Sequence, residues 1–163
     1  MAQSTNRKVI VTRFEREPVP GFLQTPGGLL ADGVELLTPS GTLLHLPYSE
    51  VKAICFVRDL DGAETWRAHR NFATRPKAAG LWVRLMFRDG DSLQGIIANN
   101  LMAMEPGGFD IIPPDPTFQN QRIFVPRAAL REVQVLGVIG SPLKRKRLAK
   151  SGTLQEEKQL EMF

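Results

Sequence analysis

Side chains able to do chemistry are few and scattered in this 163-residue chain. There are two histidines, His45 and His69, and one cysteine, Cys55. A zinc site draws Cys, His and carboxylate ligands at short, regular spacing, and neither histidine has such neighbours. Cys55 lies in the apolar run Ala53-Ile54-Cys55-Phe56-Val57, where a thiol behaves as a small buried hydrophobe. A lone cysteine cannot close an internal disulfide. No Gly-x-Ser-x-Gly elbow, phosphate-binding loop or dinucleotide-binding glycine pattern occurs. The carboxylates form no acid/base pair. These residues point to a protein that is not an enzyme, with no cofactor and no metal.

The basic residues are better organised. The formal net charge is +4. Residues 141–163 carry six Lys/Arg against three Glu, so most of that charge belongs to the last segment and the rest is nearly neutral. Lys144, Arg145, Lys146 and Arg147 form one block, suited to weak contacts with phosphates of DNA or RNA. Trp66, Arg67 and Arg70 form a second set, in which an indole can stack on a base while arginines meet the backbone. Arg70 and Arg75 are five apart, with no Asp-x-Ser-x-x-Gly strand after them. That departs from the Arg-x-x-x-Arg arm of small barrels that bind cyclic dinucleotides.

The last five residues are Gln159-Leu160-Glu161-Met162-Phe163. They resemble the short peptide by which bacterial DNA polymerases and repair proteins bind the sliding clamp. The resemblance implies that Gln159 hydrogen-bonds at a pocket mouth while Leu160, Met162 and Phe163 fill apolar pockets. It makes a protein partner, the sliding clamp, the expectation for this segment.

These groups must be positioned by short strands. Ile10, Thr12 and Phe14 alternate, as do Val83, Leu85 and Phe87, the period-two signal of a strand. Asp89-Gly90 marks a hairpin between alternating runs. Gly33-Val34-Glu35-Leu36-Leu37 matches Gly108-Phe109-Asp110-Ile111-Ile112. Leu44-His45-Leu46-Pro47, a short turn, and a strand match Ile123-Phe124-Val125-Pro126, a short turn, and a strand. The turn after each proline is sized for one turn of 3₁₀ helix. The expectation is therefore an all-β chain with minor 3₁₀ content, built from two tandem units. The first spans 8–57, a linker 58–80, the second 81–138, and a flexible basic tail 139–163. Gly137, Gly140, Ser141 and Pro142 punctuate the last boundary.

Four or five short strands with a 3₁₀ turn before the last resemble the SH3-like and Sm-like small barrels. Val83-Arg84-Leu85-Met86-Phe87-Arg88-Asp89-Gly90-Asp91-Ser92-Leu93-Gln94-Gly95 resembles the first Sm-like motif. The following Ile97-Ala98-Asn99-Asn100-Leu101-Met102 lacks the Asp of the Sm-like nucleotide pocket. The same stretch, with Arg75-Pro76-Lys77 before it and Phe124-Val125-Pro126-Arg127 after, also resembles a bacterial family that implies no activity. The Sm-like resemblance implies RNA binding or oligomerisation through the barrels as the alternative function. Met1–Lys8 holds no apolar signal region, and no run reaches the roughly 18 apolar residues of a membrane helix. The expected location is the cytoplasm.

Overall fold

The computed structural model describes residues 5–25, 27–60, 70–100, 102, 107–114 and 120–140. Among these described residues ten strands follow one another: β1 (Thr5–Arg13), β2 (Val19–Thr25), β3 (Gly33–Leu37), β4 (Leu43–Pro47), β5 (Val51–Val57), β6 (Gly80–Phe87), β7 (Ser92–Ile97), β8 (Gly108–Ile112), β9 (Asn120–Pro126) and β10 (Leu130–Ile139). A 3₁₀ turn at Arg127–Ala129 precedes β10. No α-helix occurs among the described residues, and none of their elements is a helix long and apolar enough to cross a membrane. The chain is nearly all β, as its alternation implies.

All strand pairs are antiparallel and form one sheet in the order β10-β6-β7-β8-β9-β5-β1-β2-β3-β4. Within strands 1–5 the order is fifth, first, second, third, fourth. Strands 6–10 show the same order. The two sets meet where β5 pairs with β9, placing Ile54 opposite Phe124 and Cys55 opposite Ile123.

Details recur at matching places. β5 carries one extra residue opposite β1: Ala53 faces Thr12 and Val51 faces Arg13, so Lys52 is the bulge. β10 carries its extra residue at Arg131, between Leu130 opposite Phe87 and Glu132 opposite Met86. Gly33 faces Pro47, and Gly108 faces Pro126. Gly21 faces Val9 and Gly95 faces Val83. A Cβ on Gly21 would strike Leu36 and the carbonyl of Leu37; one on Gly95 would strike Ile111 and approach the carbonyl of Ile112. Both glycines let the third strand of their set pass close over the second.

The apolar residues divide into two clusters. Val9, Val11, Leu23, Leu36, Ile54 and Phe56 belong to one, and Phe124 joins them from β9. Val83, Leu85, Phe87, Ile111, Ile123 and Val125 belong to the other, joined by Ile10, Ala53, Cys55 and Val57. β5 is thus covered on both faces, and every one of its seven residues is buried. Alternate side chains point to opposite faces, so its continuous apolar run serves both clusters. Full burial of one large apolar side chain such as Phe124 stabilises by about 1.5–3 kcal/mol.

The strands extend slightly past the expected boundaries. β1 begins at Thr5, because backbone pairing with β2 continues from Lys8 through Asn6 to Thr25 opposite Thr5. β10 runs to Ile139, which is buried, so the expected tail contributes its first residue to the sheet.

Candidate functional site

Charge inside the molecule is concentrated where β5 meets the β6–β7 hairpin. The Asp89-Gly90-Asp91 turn is local chemistry. Gly90 takes φ of 90°, and its N–H donates to the Phe87 carbonyl at 3.0 Å. The Asp89 Oδ1 accepts from the Asp91 N–H at 3.0 Å, and the Asp91 Oδ1 accepts from the Ser92 N–H at 2.9 Å. Side chains that satisfy nearby amides favour such a turn. The remaining carboxylate oxygens face β5.

Lys52 reaches them. A bulge breaks the strict alternation of a strand and re-aims a side chain. The Nζ of Lys52 donates to Asp89 Oδ2 at 2.7 Å and to Asp91 Oδ2 at 3.0 Å. Its side chain is only 8% exposed. It also lies 5.4 Å from the ring centre of Phe87 and 5.9 Å from that of Phe14. An ammonium this buried is tolerated because two carboxylates and two ring faces replace its water.

Arg70 completes the network by donating to Asp91 Oδ1. Its carbonyl accepts from the Gln94 N–H at 2.8 Å. The Gln94 Oε1 in turn accepts from the Phe72 N–H at 3.2 Å and from the Trp82 indole N–H at 3.3 Å. Phe72 packs edge-on against Trp82 with centres 6.2 Å apart. The start of the segment leading into β6 is therefore fastened to the second strand set.

Beside this network lies a cleft of about 550 Å³. Arg13, Arg16 and Arg88 line it together with Glu15, Glu50 and Asp89. Positive and negative groups balance. Arg88 stacks 4.0 Å from the Phe14 ring centre and donates to the Ser49 carbonyl. Arg13 donates to the Glu17 carbonyl at 2.9 and 2.8 Å. Arg13 and Arg88 are engaged with the protein's own groups, and Arg88 ties the β6–β7 turn to Phe14, just after β1, and to Ser49, just before β5.

The candidate residues from sequence fall in different places. Among the nucleic-acid set, only Arg70 lies in the described residues, where it pairs with Asp91. Trp66, Arg67, Lys144, Arg145, Lys146 and Arg147 lie outside the described residues. So do Gln159, Leu160, Met162 and Phe163. Cys55 is buried and outside any disulfide. His45 is exposed on β4, with Nε2 3.3 Å from Asp32 Oδ1. Among the described residues no group of three or more His, Cys, Asp or Glu is placed to hold a metal ion. Sequence reading overlooked Lys52, Asp89 and Asp91. The signal for Lys52 was a charge set inside an otherwise apolar strand.

A family model described as a family of unknown function (DUF6982) matches residues 5–137. The chain belongs to the DUF6982 family. The matched span covers β1 to β9, most of β10 and the Lys52–Asp89–Asp91–Arg70 network. The basic block 144–147 and the segment 159–163 follow the matched span. No curated protein and no solved structure matches the chain.

Proposed function

We propose that this protein is a non-enzymatic interaction module of the cytoplasm, a platform of two tandem small SH3-like/Sm-like units that carries a partner-binding peptide. The two-unit reading is supported by the shared strand order, the bulges at Lys52 and Arg131, and the paired glycines Gly21 and Gly95. The peptide is the segment ending in Gln159-Leu160-Glu161-Met162-Phe163, and its partner is the sliding clamp. Lys144 to Arg147 would add weak, salt-sensitive contacts to nucleic acid beside it.

The observation that carries this assignment is the balance of charges in the body. Lys52, Arg70, Asp89 and Asp91 compensate one another, and Arg13 and Arg88 serve main-chain carbonyls. This leaves the sheet's edges and the segment that follows Gly140 as the places for binding; Gly140 itself is exposed, just past the end of β10. The test is binding of the full chain to immobilised bacterial sliding clamp. Binding that is lost in a Gln159→Ala/Phe163→Ala variant of unchanged melting temperature supports the peptide. Equal binding by both chains, or none by either at high clamp concentration, removes the clamp as partner.

The second reading is an Sm-like protein that binds RNA or oligomerises through its barrels. Exposed apolar side chains at both outer strands, Leu43 on β4 and Val135 on β10, favour its oligomerising form.

A further inference from the structure

The β5–β9 junction inside the chain also describes a contact between chains. We propose that copies of this protein assemble head to tail, with β10 of one copy pairing antiparallel to β4 of the next. The proposal rests on reading strands 1–5 and 6–10 as copies of one unit.

On that reading the internal junction joins the fifth strand of the first unit to the fourth strand of the second. The strands left at the two ends of the sheet are β10, a fifth strand, and β4, a fourth strand. They are the two halves of the same contact, each without its counterpart among the described residues. An edge strand exposes a row of peptide groups and templates pairing with another chain.

The register transfers residue by residue. Pro47 corresponds to Pro126, so His45 corresponds to Phe124 and Leu43 to Arg122. The bulges make Lys52 correspond to Arg131, so Ile54 corresponds to Val133 and Phe56 to Val135. Ile54 faces Phe124 and Phe56 faces Arg122 in the internal junction. Between chains, Val133 then faces His45 and Val135 faces Leu43. Those are positions where the outer strands expose apolar surface: Leu43 is 62% exposed, Val135 60% and Val133 38%.

Charge gives a second, independent match. In the internal junction the bulge lysine, Lys52, bonds to the two aspartates of the β6–β7 turn. The β1–β2 turn has the same length: Val11 faces Val19 as Leu85 faces Leu93. Glu15 and Glu17 therefore occupy the places of Asp89 and Asp91. Arg131 occupies the place of Lys52. All three are exposed in the single chain. Pairing β10 with the next β4 brings Arg131 of one copy to Glu15 and Glu17 of the next, with the same signs as the internal network. Because the two surfaces differ, the contact is heterologous and propagates, closing into a ring or extending as a filament.

The test is sedimentation of the full chain over a range of concentrations, with variants at both rims and at the internal junction. The wild type is expected above the 18.2 kDa of one chain. Val135→Lys should return it to one chain with its melting temperature kept. Arg131→Glu should weaken assembly by about fivefold or more, and Arg131→Glu with Glu15→Arg and Glu17→Arg should restore it. Cross-strand neighbours place Cβ atoms about 4.5–5.5 Å apart. Leu43→Cys with Val135→Cys should then give a disulfide between chains that neither single variant gives. Ile123→Cys serves as the control, expected to bond to Cys55 within one chain. If that internal bond forms while the protein stays a single chain throughout, assembly is overturned and the two-unit reading stands. If the internal bond does not form, the junction and the assembly fall together. An assembly indifferent to Val135→Lys and to charge reversal overturns the β4–β10 contact.

Discussion

A fifth strand and a fourth strand occur twice in this sheet, and the two occurrences are treated very differently. At β5 and β9 they are paired, buried and tied by Lys52 to Asp89 and Asp91. At β10 and β4 they form the outer rims, and the side chains at the matching positions are exposed valines, a leucine, an arginine and two glutamates. Residue type follows surroundings. Where both faces are covered, the fifth strand reads Ala53-Ile54-Cys55-Phe56-Val57. At the rim it reads Glu132-Val133-Gln134-Val135-Leu136, and both valines stand exposed while Gln134 and Leu136 are half-buried. The rim keeps enough apolar surface to mark a contact and enough charge to limit indiscriminate pairing.

Substitutions can break this contrast, beginning with the largest effect. Phe124→Ala removes the aromatic that β9 sends into the first cluster, and should destabilise by about 3–5 kcal/mol in urea unfolding. A loss under about 1 kcal/mol would mean that the junction does not hold the two strand sets together. Lys52→Ala removes the ammonium that Asp89 and Asp91 of the β6–β7 turn share, with Arg70 still donating to Asp91. Because those carboxylates keep partial solvent contact, the cost should be about 2–3 kcal/mol. Gly95→Ala drives a methyl into Ile111 and should cost about 1–3 kcal/mol, with Gly21→Ala behaving alike against Leu36. Unequal outcomes at the two glycines would separate the strand sets rather than equate them. Arg131→Ala, the rim counterpart of Lys52→Ala, should change the stability of the isolated chain by less than about 0.5 kcal/mol. Thermal and urea unfolding of dilute protein measure that difference between two bulge cations directly.

Much of the fold was legible in local pattern. Gly33 and Gly108 open β3 and β8 where alternation places them, and Asp89-Gly90 makes the expected hairpin. The turn after Pro126 is the expected 3₁₀ turn, whereas residues 48–50 after Pro47 form a hydrogen-bonded turn rather than a 3₁₀ helix. Long-range pairing was not legible. A buried run such as Val51–Val57 announces that something covers both faces, but periodicity does not say which strand does so. The β5–β9 pair links segments more than sixty residues apart in sequence, as Ile54 opposite Phe124 illustrates. The role of Lys52 depends on that pairing, so it stayed hidden with it. Isolated sequence shows the charge of Arg70 and not Asp91 beside it.

The most direct measurement compares amide hydrogen exchange of the full chain at low and high protein concentration. The expected result is protection in Val133–Leu136 and Leu43–His45 that rises with concentration, while β5 and β9 stay equally protected at both. Exchange at the two rims that ignores concentration would contradict the central claim that they are two halves of one contact.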